Sequence, residues 1–297
     1  MNNDIDVVIA YVDSSDINWH KQCLEYCTSI DEKRFRSFDN LNYLMRLIDK
    51  NLPFIRNVYL VVSSMSQVPT FINKDTVKIV LHEDIIPKKY LPTFNILEIE
   101  LFFNRIPGIS DRFIYFNDDM FPLKPLKEDM FFNRNMPCLK MKYLSHPQTR
   151  FGFFCLNNKH LIEKDLNKKL DNEYGYWIPF HSALPLFKSD YDYFWEKYPD
   201  ELYNSLSKFR EDKNYTQYLF SMYRYYTNRY LPTFLDFEYG QFNTLTLDSI
   251  MRIIKNKECS IFCINDDGLQ DGEFNNTKKM INESFEFIVP NICKYEV

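Results

Sequence analysis

The segment Arg112-Phe-Ile-Tyr-Phe-Asn-Asp-Asp119 is a run of aromatic and aliphatic residues that ends in one amide and two carboxylates. Two further segments have this form: Ile5 to Val12 is followed by Asp13, and Cys259 to Ile264 by Asn265-Asp-Asp-Gly268. A short, near-continuous apolar run is typical of a buried parallel strand. The sequence therefore predicts three strands that each end in acidic residues.

Two predicted helices and two more predicted strands lie between the run from Ile5 to Val12 and the run from Arg112 to Asp119. Apolar residues recur at helical spacing from Leu41 to Leu52 and from Ile96 to Ile106, and solid apolar strands lie at Val58 to Val62 and Val77 to Leu81. This alternation predicts an α/β fold, with a mostly parallel, doubly wound sheet flanked by helices. The ligand crevice of such a sheet lies beyond the carboxyl ends of its strands. The acidic loops that begin at Asp13 and at Asp118 are therefore expected to face this crevice.

The C-terminal half is predicted to carry an insertion. Residues 190–230 show helical periodicity with many Tyr and Phe, which predicts a helical subdomain at about 180–235. The α/β core then comprises residues 1–150 and 250–297, with a closing helix around Met280 to Phe287. No internal repeat or low-complexity linker interrupts the chain, so we expect a single domain over residues 1–297.

Composition excludes some classes of partner. The net charge of -5 and the pI near 5.6 provide no basic field for a nucleic-acid backbone. The seven cysteines include no C-x-x-C spacing, which favours reduced thiols over a zinc site. The N-terminus has neither the charge nor the apolar length of a signal peptide, so a cytoplasmic protein is expected.

Carboxylates at strand ends are candidate ligands for a divalent cation. Magnesium and manganese prefer oxygen donors, and Asp118, Asp119 and Asp266 follow two strands that could be neighbours. Adjacent side chains on an extended strand point to opposite faces, so Asp118 and Asp119 can both bind an ion only if the backbone turns between them. The alternative is that Asn-Asp-Asp is ordinary turn chemistry, and neither loop decides the question alone.

Arginines are candidate phosphate-binding residues and histidines are candidate bases, but their spacing in the sequence does not distinguish among them. A phosphate ligand needs cationic donors and an attacking hydroxyl needs a base, but lone arginines are usually solvated and single histidines are usually structural. The arginine candidates are Arg34, Arg36, Arg46 and Arg210, and the histidines are His20, His82, His146, His160 and His181.

Four segments, in order, resemble the four conserved regions of the Stealth family of sugar-phosphate transferases. The residues that carry the resemblance are Ile5 to Asp16; Arg34-Phe-Arg36, Asp39-Asn40, His82 to Asp84, Leu91 to Asn95, Arg105 to Gly108 and Tyr115 to Met120; His181 and Phe209-Arg210; and Cys263 to Asp267. The resemblance implies a Rossmann-like or GT-A-like sheet. It also implies transfer of hexose 1-phosphate or N-acetylhexosamine 1-phosphate from a UDP-sugar to a saccharide hydroxyl, with release of UMP.

The resemblance further implies magnesium, with manganese as the alternative ion. The acceptor would be an oligo- or polysaccharide of a capsule or cell wall, including a lipid-linked one. The protein would act in the cytoplasm, with at most peripheral association at the inner face of the membrane.

Residue roles follow from the resemblance as well. Asp118, Asp119 and Asp266 would hold the ion, Arg210 with Arg46 or Arg36 would stabilise the phosphoryl oxygens, and His181 would take the acceptor proton. Substrate-binding residues would be Asp13, Asn40 and Asn95. Two alternatives stay open: a GT-A-like glycosyltransferase that releases UDP, and a noncatalytic saccharide-binding protein.

Overall fold

The computed structural model describes residues 4–30, 33 and 35–297. Arg34, which opens the second family-like segment, lies outside these residues. The strands are β1 Ile5–Ala10, β2 Ile55–Val62, β3 Val77–Leu81, β4 Arg112–Asn117, β5 Met120–Pro122, β6 Phe132–Asn133, β7 Met136–Leu139, β8 Met141–Leu144, β9 Tyr176–Pro179, β10 Leu184–Phe187, β11 Leu231–Pro232, β12 Phe237–Gln241 and β13 Ile261–Asn265. The α-helices are α1 Ile17–Leu24, α2 Leu41–Asn51, α3 His82–Ile85, α4 Ile96–Glu100, α5 Arg150–Leu166, α6 Lys188–Lys197, α7 Pro199–Ser205, α8 Tyr218–Tyr226, α9 Leu247–Asn256 and α10 Phe274–Ile288.

The main sheet has the strand order β10-β4-β1-β2-β3. Strands β1 to β4 run parallel, and β10 pairs with β4 in the antiparallel direction. Ala10 is in register with both Val61 and Asn117, so the carboxyl ends of β1, β2 and β4 lie at one edge. This arrangement, with helices on both sides, confirms the predicted α/β fold class.

Each face of the main sheet covers its own hydrophobic core. On β1, Val7 and Ile9 pack into one buried cluster, while Val8 and Ala10 pack into the other. Alternate residues of a strand point to opposite faces, which explains why the whole of β1 is apolar apart from Asp6. Burial of each such Val or Ile contributes about 1.5–3 kcal/mol, so β1 anchors both layers.

The strand β13 does not join the main sheet. It pairs with β12 in parallel and with β5 in the antiparallel direction, in a second sheet of order β12-β13-β5. The chain passes from β4 to β5 through a turn at Asp118 and Asp119. β4 and β13 are thus not neighbouring strands. Their acidic ends come together because this turn joins β4 to β5, which pairs with β13.

Several elements differ from expectation. The predicted helix from Ile96 to Ile106 is only α4, followed by a short 3₁₀ turn at Phe103–Arg105. The long helix α5 was not predicted, whereas α6, α7 and α8 confirm helical structure in residues 190–230. The division into core and subdomain stays a prediction.

All seven cysteines lie within the described residues and none forms a disulfide, which agrees with reduced thiols. Within the part of the chain described, no helix combines the length and the apolar character needed to cross a membrane.

Candidate active site

A cleft of about 650 Å³ opens at the carboxyl edge of the main sheet. Its walls come from the ends of β1, β2 and β4, from the loop that precedes α2, and from the loop that follows β13. Its polar lining residues include Arg36, Asn40, His82, Asn117, Asp118, Asp119, Arg210, Asp266 and Asp267. The crevice thus lies where a doubly wound sheet is expected to place it.

Three carboxylates from two sheets line this cleft. The carbonyl of Asp119 accepts a hydrogen bond from the N–H of Ile264 at 2.9 Å, which fixes the β4–β5 turn beside the end of β13. Asp266 follows β13 by one residue and lies close enough to Asp119 to raise its pKa. Asp118, Asp119 and Asp266 all line the cleft, and we call these three carboxylates the acidic wall.

The protein neutralises the acidic wall only in part: Arg36 forms an ion pair with Asp266, whereas Asp118 and Asp119 form no salt bridge among the described residues. Burial, with the neighbouring Asp119, raises the pKa of Asp118 to about 7. Burial also raises the pKa of Asp119. Oδ1 of Asp119 and Oδ1 of Asn117 are buried and have no hydrogen-bond partner among the described residues. Unpartnered carboxylate and amide oxygens fit a hard divalent cation.

His181 lies beside the acidic wall, between β9 and β10. A donor atom of its ring lies within 4.8 Å of those of Asp119 and Cys263, and Nδ1 is 3.1 Å from the hydroxyl of Tyr218. The ring of Tyr239 packs against the imidazole edge-to-face, with centroids 5.3 Å apart. Burial lowers the pKa of His181, although the charge of Asp119 opposes this, and the shift favours the neutral imidazole.

His82 also lines the cleft, but it is buried and burial lowers its pKa to about 4. Sequence reasoning gave no role to Cys263, Asn117 or Tyr218. Cys263 and Asn117 lie inside the acidic motifs and were visible there, whereas Tyr218 comes from α8 and had no sequence signal.

Arg210 and Asn40 line the cleft as predicted. Asn95 is not among the lining residues, and its predicted substrate contact stays a prediction. Its Nδ2 donates to the carbonyls of Ser207 (3.0 Å) and Phe209 (3.3 Å), and its Oδ1 accepts from the N–H of Leu97. Asn95 therefore holds the loop that carries Arg210.

Arg36 lines the cleft but already has partners. Its Nε donates to Asp266, its Nη1 to Asp271 at 2.8 Å, and its Nη2 to the carbonyl of Leu269 at 3.3 Å. In this arrangement the guanidinium holds the loop after β13, so its predicted contact with phosphoryl oxygens stays a prediction.

Arg46 lies in a network of ion pairs and hydrogen bonds with the C-terminal segment. Its guanidinium makes a bidentate ion pair with Glu296, and Nη1 also donates to Glu286 at 3.2 Å and to the carbonyl of Val289 at 3.1 Å. The residue is 8% exposed and is not part of the cleft lining. Most of the donors of this guanidinium are therefore committed to the C-terminal segment, and its predicted contact with phosphoryl oxygens stays a prediction.

Asp13 follows β1 but its carboxylate turns back on its own loop. Oδ1 accepts from the N–H of Ser15 at 2.8 Å and from its hydroxyl at 2.6 Å. The described lining of the cleft does not include Asp13. These bonds shape the loop, and the predicted contact of Asp13 with the nucleotide stays a prediction.

Several known proteins are similar to this chain in sequence. The family model "Stealth protein CR2, conserved region 2" matches residues 34–139. The capsular polysaccharide phosphotransferase WcwK of Streptococcus pneumoniae is 30% identical over an alignment of 338 positions that covers 100% of this chain and 100% of its own. The capsular polysaccharide phosphotransferase LcbA of Neisseria meningitidis is 30% identical over 285 residues, covering 88% of this chain and 77% of its own.

A third relative, the exopolysaccharide phosphotransferase cps2G of Lactiplantibacillus plantarum, is 28% identical over 328 residues, covering 99% of this chain and 96% of its own. The fold, the acidic cleft and these relatives define the class: the chain is an enzyme, a phosphotransferase with a GT-A-like sheet. Within that class it belongs to the Stealth family.

Proposed function

We propose that this enzyme transfers hexose 1-phosphate, or N-acetylhexosamine 1-phosphate, from a UDP-sugar to a saccharide hydroxyl. UMP leaves, and a phosphodiester forms in a capsular or cell-wall polysaccharide. The names of the relatives support the polysaccharide product. The observation that carries the proposal is the cleft lined by Asp118, Asp119 and Asp266, with the imidazole of His181 beside Asp119.

The acidic wall would hold the cofactor. Asp118, Asp119 and Asp266 are the residues that would bind Mg²⁺, with Mn²⁺ as the alternative, and the buried Oδ1 of Asp119 supports this assignment. When bound, the ion would neutralise charge on the diphosphate.

His181 would act as the general base. In the tautomer in which Nδ1 donates to the hydroxyl of Tyr218, Nε2 is able to accept a proton. The acceptor oxygen forms a bond to the sugar-side phosphorus while the bond from that phosphorus to the bridging oxygen breaks. The acceptor proton passes to His181, and the bridging oxygen leaves with UMP.

Arg210 would contribute positive charge beside the reacting phosphate. It lines the cleft on the loop held by Asn95, so its position is set by hydrogen bonds outside the cleft. Charge fixed in advance at the site of a developing phosphoryl charge is an effective form of catalysis.

A panel of UDP-sugars tests the reaction class. The enzyme is incubated with Mg²⁺, each donor and an oligosaccharide acceptor, and UMP is separated from UDP by ion-exchange chromatography. Release of UMP together with a phosphodiester product is expected. Release of UDP with a plain glycoside would replace this proposal with a glycosyltransferase, and binding of UDP without any donor cleavage would indicate a saccharide-binding protein.

The His181→Ala variant tests the base. Its kcat should fall by about two orders of magnitude or more, because positioned acid–base catalysis supplies that much. His146→Ala is the matched control, since His146 is exposed and its Nδ1 contacts Ser145. Turnover of His181→Ala close to that of the control would remove His181 from the mechanism. The cytoplasmic location stays a prediction.

A further inference from the structure

Two lysines converge on one aromatic ring beside the proposed base. The ammonium of Lys140 lies 4.7 Å from the ring centroid of Phe180, and that of Lys142 lies 5.5 Å from the same centroid. Lys140 also lies 5.9 Å from the ring centroid of Phe237. We call Lys140, Lys142 and Phe180 the lysine patch.

The lysine patch holds positive charge without a counter-ion. In the described part of the chain, neither Lys140 nor Lys142 forms an ion pair, although both side chains are exposed. By contrast, Lys124 pairs with Asp236 and Lys164 pairs with Glu201. Two ammonium groups over one ring repel each other, and an anion placed between them would relieve that repulsion.

The patch adjoins the reaction centre. Phe180 immediately precedes His181, and its N–H donates to the carbonyl of Lys140 at 2.9 Å. An anion bound by the two lysines would therefore lie beside the imidazole that faces the attacking hydroxyl. His181 in turn lies beside Asp119, which lines the cleft that would hold the donor.

Exposed aromatic rings extend the same surface. Tyr239, which contacts His181, is 38% exposed. Phe234 is fully exposed, and it follows Thr233, whose N–H donates to the carbonyl of Leu139 next to Lys140. Exposed aromatic rings are suited to packing on the apolar faces of sugars.

We propose that this surface is the acceptor site and that the acceptor carries a phosphate group close to its attacking hydroxyl. The inference rests on the proposed function, because it assigns the second substrate of that reaction. The lysine patch would bind the phosphate, and the rings of Phe234 and Tyr239 would pack against the sugar. Phosphate in this position has two sources: a phosphodiester inside a growing polysaccharide, or the diphosphate of a lipid-linked saccharide.

Acceptor preference tests the proposal. Three acceptors built from one sugar are compared at a fixed donor concentration: a neutral disaccharide, a phosphodiester-linked disaccharide, and a disaccharide on a short polyprenyl diphosphate. Wild-type enzyme should use at least one phosphate-bearing acceptor with a kcat/KM about tenfold or more above that of the neutral one. Which of the two is preferred identifies the source of the phosphate.

Variants then locate the effect. Lys140→Met and Lys142→Met should each raise KM for the preferred acceptor about tenfold, because each removes one charge-assisted contact. Their KM for the neutral acceptor and their acceptor-independent release of UMP should not change. The matched control is Lys89→Met, since Lys89 also lies over aromatic rings, those of Tyr90 and Tyr203, but outside the lysine patch. Lys140→Arg with Lys142→Arg should keep the preference.

Equal use of neutral and phosphate-bearing acceptors by the wild type would overturn the proposal, and so would a preference that survives both methionine substitutions. Binding distinguishes this failure from failure of the proposed function. A methyl hexosyl phosphate and the matching methyl hexoside are titrated by NMR into wild type and the double methionine variant. Selective, lysine-dependent binding of the phosphate-bearing probe would support the patch even if the donor panel released no UMP, and its absence would count against the patch.

Discussion

Two aspartates at opposite edges of the main sheet have opposite environments. Asp6, near the amino end of β1, is 0% exposed, and its oxygens accept hydrogen bonds from Arg56, from the N–H and side chain of Asn57, and from the N–H of Ser110. Asp119, beyond the carboxyl end of β4, has a buried Oδ1 with no such partner within the described structure. Asp6 therefore stabilises the fold, whereas Oδ1 of Asp119 is still able to accept a bond from a cation or a ligand.

The contrast explains how to separate structural from functional charge. A buried carboxylate costs free energy unless hydrogen bonds or counter-charges compensate it. Compensation at Asp6 comes entirely from the chain. At Asp118 and Asp119 it is incomplete, which is why burial raises the pKa of both groups. Incomplete compensation inside a cleft is typical of functional sites.

The largest effect is expected for Asp119→Asn. Turnover to UMP should fall by about three orders of magnitude, because the variant loses a charged cation ligand and electrostatic support for the reacting phosphate. Thermal unfolding should occur at the same or a higher temperature, since a buried negative charge next to Asp118 is removed. Calorimetry and the UMP assay measure the two effects. If Asp119→Asn lost as much stability as Asp6→Asn and kept its activity, Asp119 would be a structural residue like Asp6, and the contrast would be wrong.

Arg46→Met is expected to reduce stability without changing chemistry. The substitution leaves Glu296, which is 8% exposed, without its counter-ion, and breaking such a pair costs about 3 kcal/mol. Urea unfolding measures the loss, and Arg46→Met with Glu296→Gln should recover part of it. The kcat of the folded variant should match the wild type. A large fall in kcat would return Arg46 to the phosphate site.

Asp6→Asn should lower the free energy of unfolding by about 2 kcal/mol, because an amide nitrogen would then face the N–H groups that the carboxylate accepts from. Specific activity per folded molecule should remain within a factor of two. Denaturant unfolding followed by activity at low temperature tests both statements. Asp4→Asn is a suitable control, since Asp4 makes a more exposed contact with Arg56.

The smallest effect concerns pH. Burial raises the pKa of Glu100 to about 8, although a hydrogen bond with Tyr115 and the charge of Arg210 oppose this. The folded protein therefore binds this proton more tightly than the unfolded chain, and stability falls as pH rises from about 4.5 to about 8. Glu100→Gln should flatten this dependence and raise the stability at pH 8 relative to the wild type. The exposed Glu196→Gln is the control, and an unchanged pH slope in Glu100→Gln would contradict the prediction.

Elements whose sequence signal is local were predictable from the sequence. Arg112 to Phe116, Val77 to Leu81 and Leu41 to Leu52 match β4, β3 and α2 within a residue or two, because apolar runs and helical spacing specify them. Helix α5 was missed because its buried face includes polar residues. Asn158 is 0% exposed and bonds to Thr216, and Lys159 is 1% exposed, so the helical apolar pattern is interrupted.

The site was predictable in part. Asp118, Asp119 and Asp266 lie on one cleft wall because each follows a strand whose end the sequence marks. The partners of Arg46 and Asn95 were not predicted, because sequence does not reveal which partner a polar side chain finds. Glu296 lies 250 residues from Arg46, and Ser207 lies 112 residues from Asn95. Contacts of this range depend on the finished fold.

The pairing of Arg46 with Glu296 bears on any attempt to dissect the protein. A fragment of residues 1–150 would contain β1 to β4 and α2 but would lack β10, which completes the main sheet, and Glu296, which neutralises Arg46. Its sheet edge and its guanidinium would both be left bare, and aggregation of such a fragment follows from the exposed edge alone. Donor binding therefore has to be studied on the intact chain.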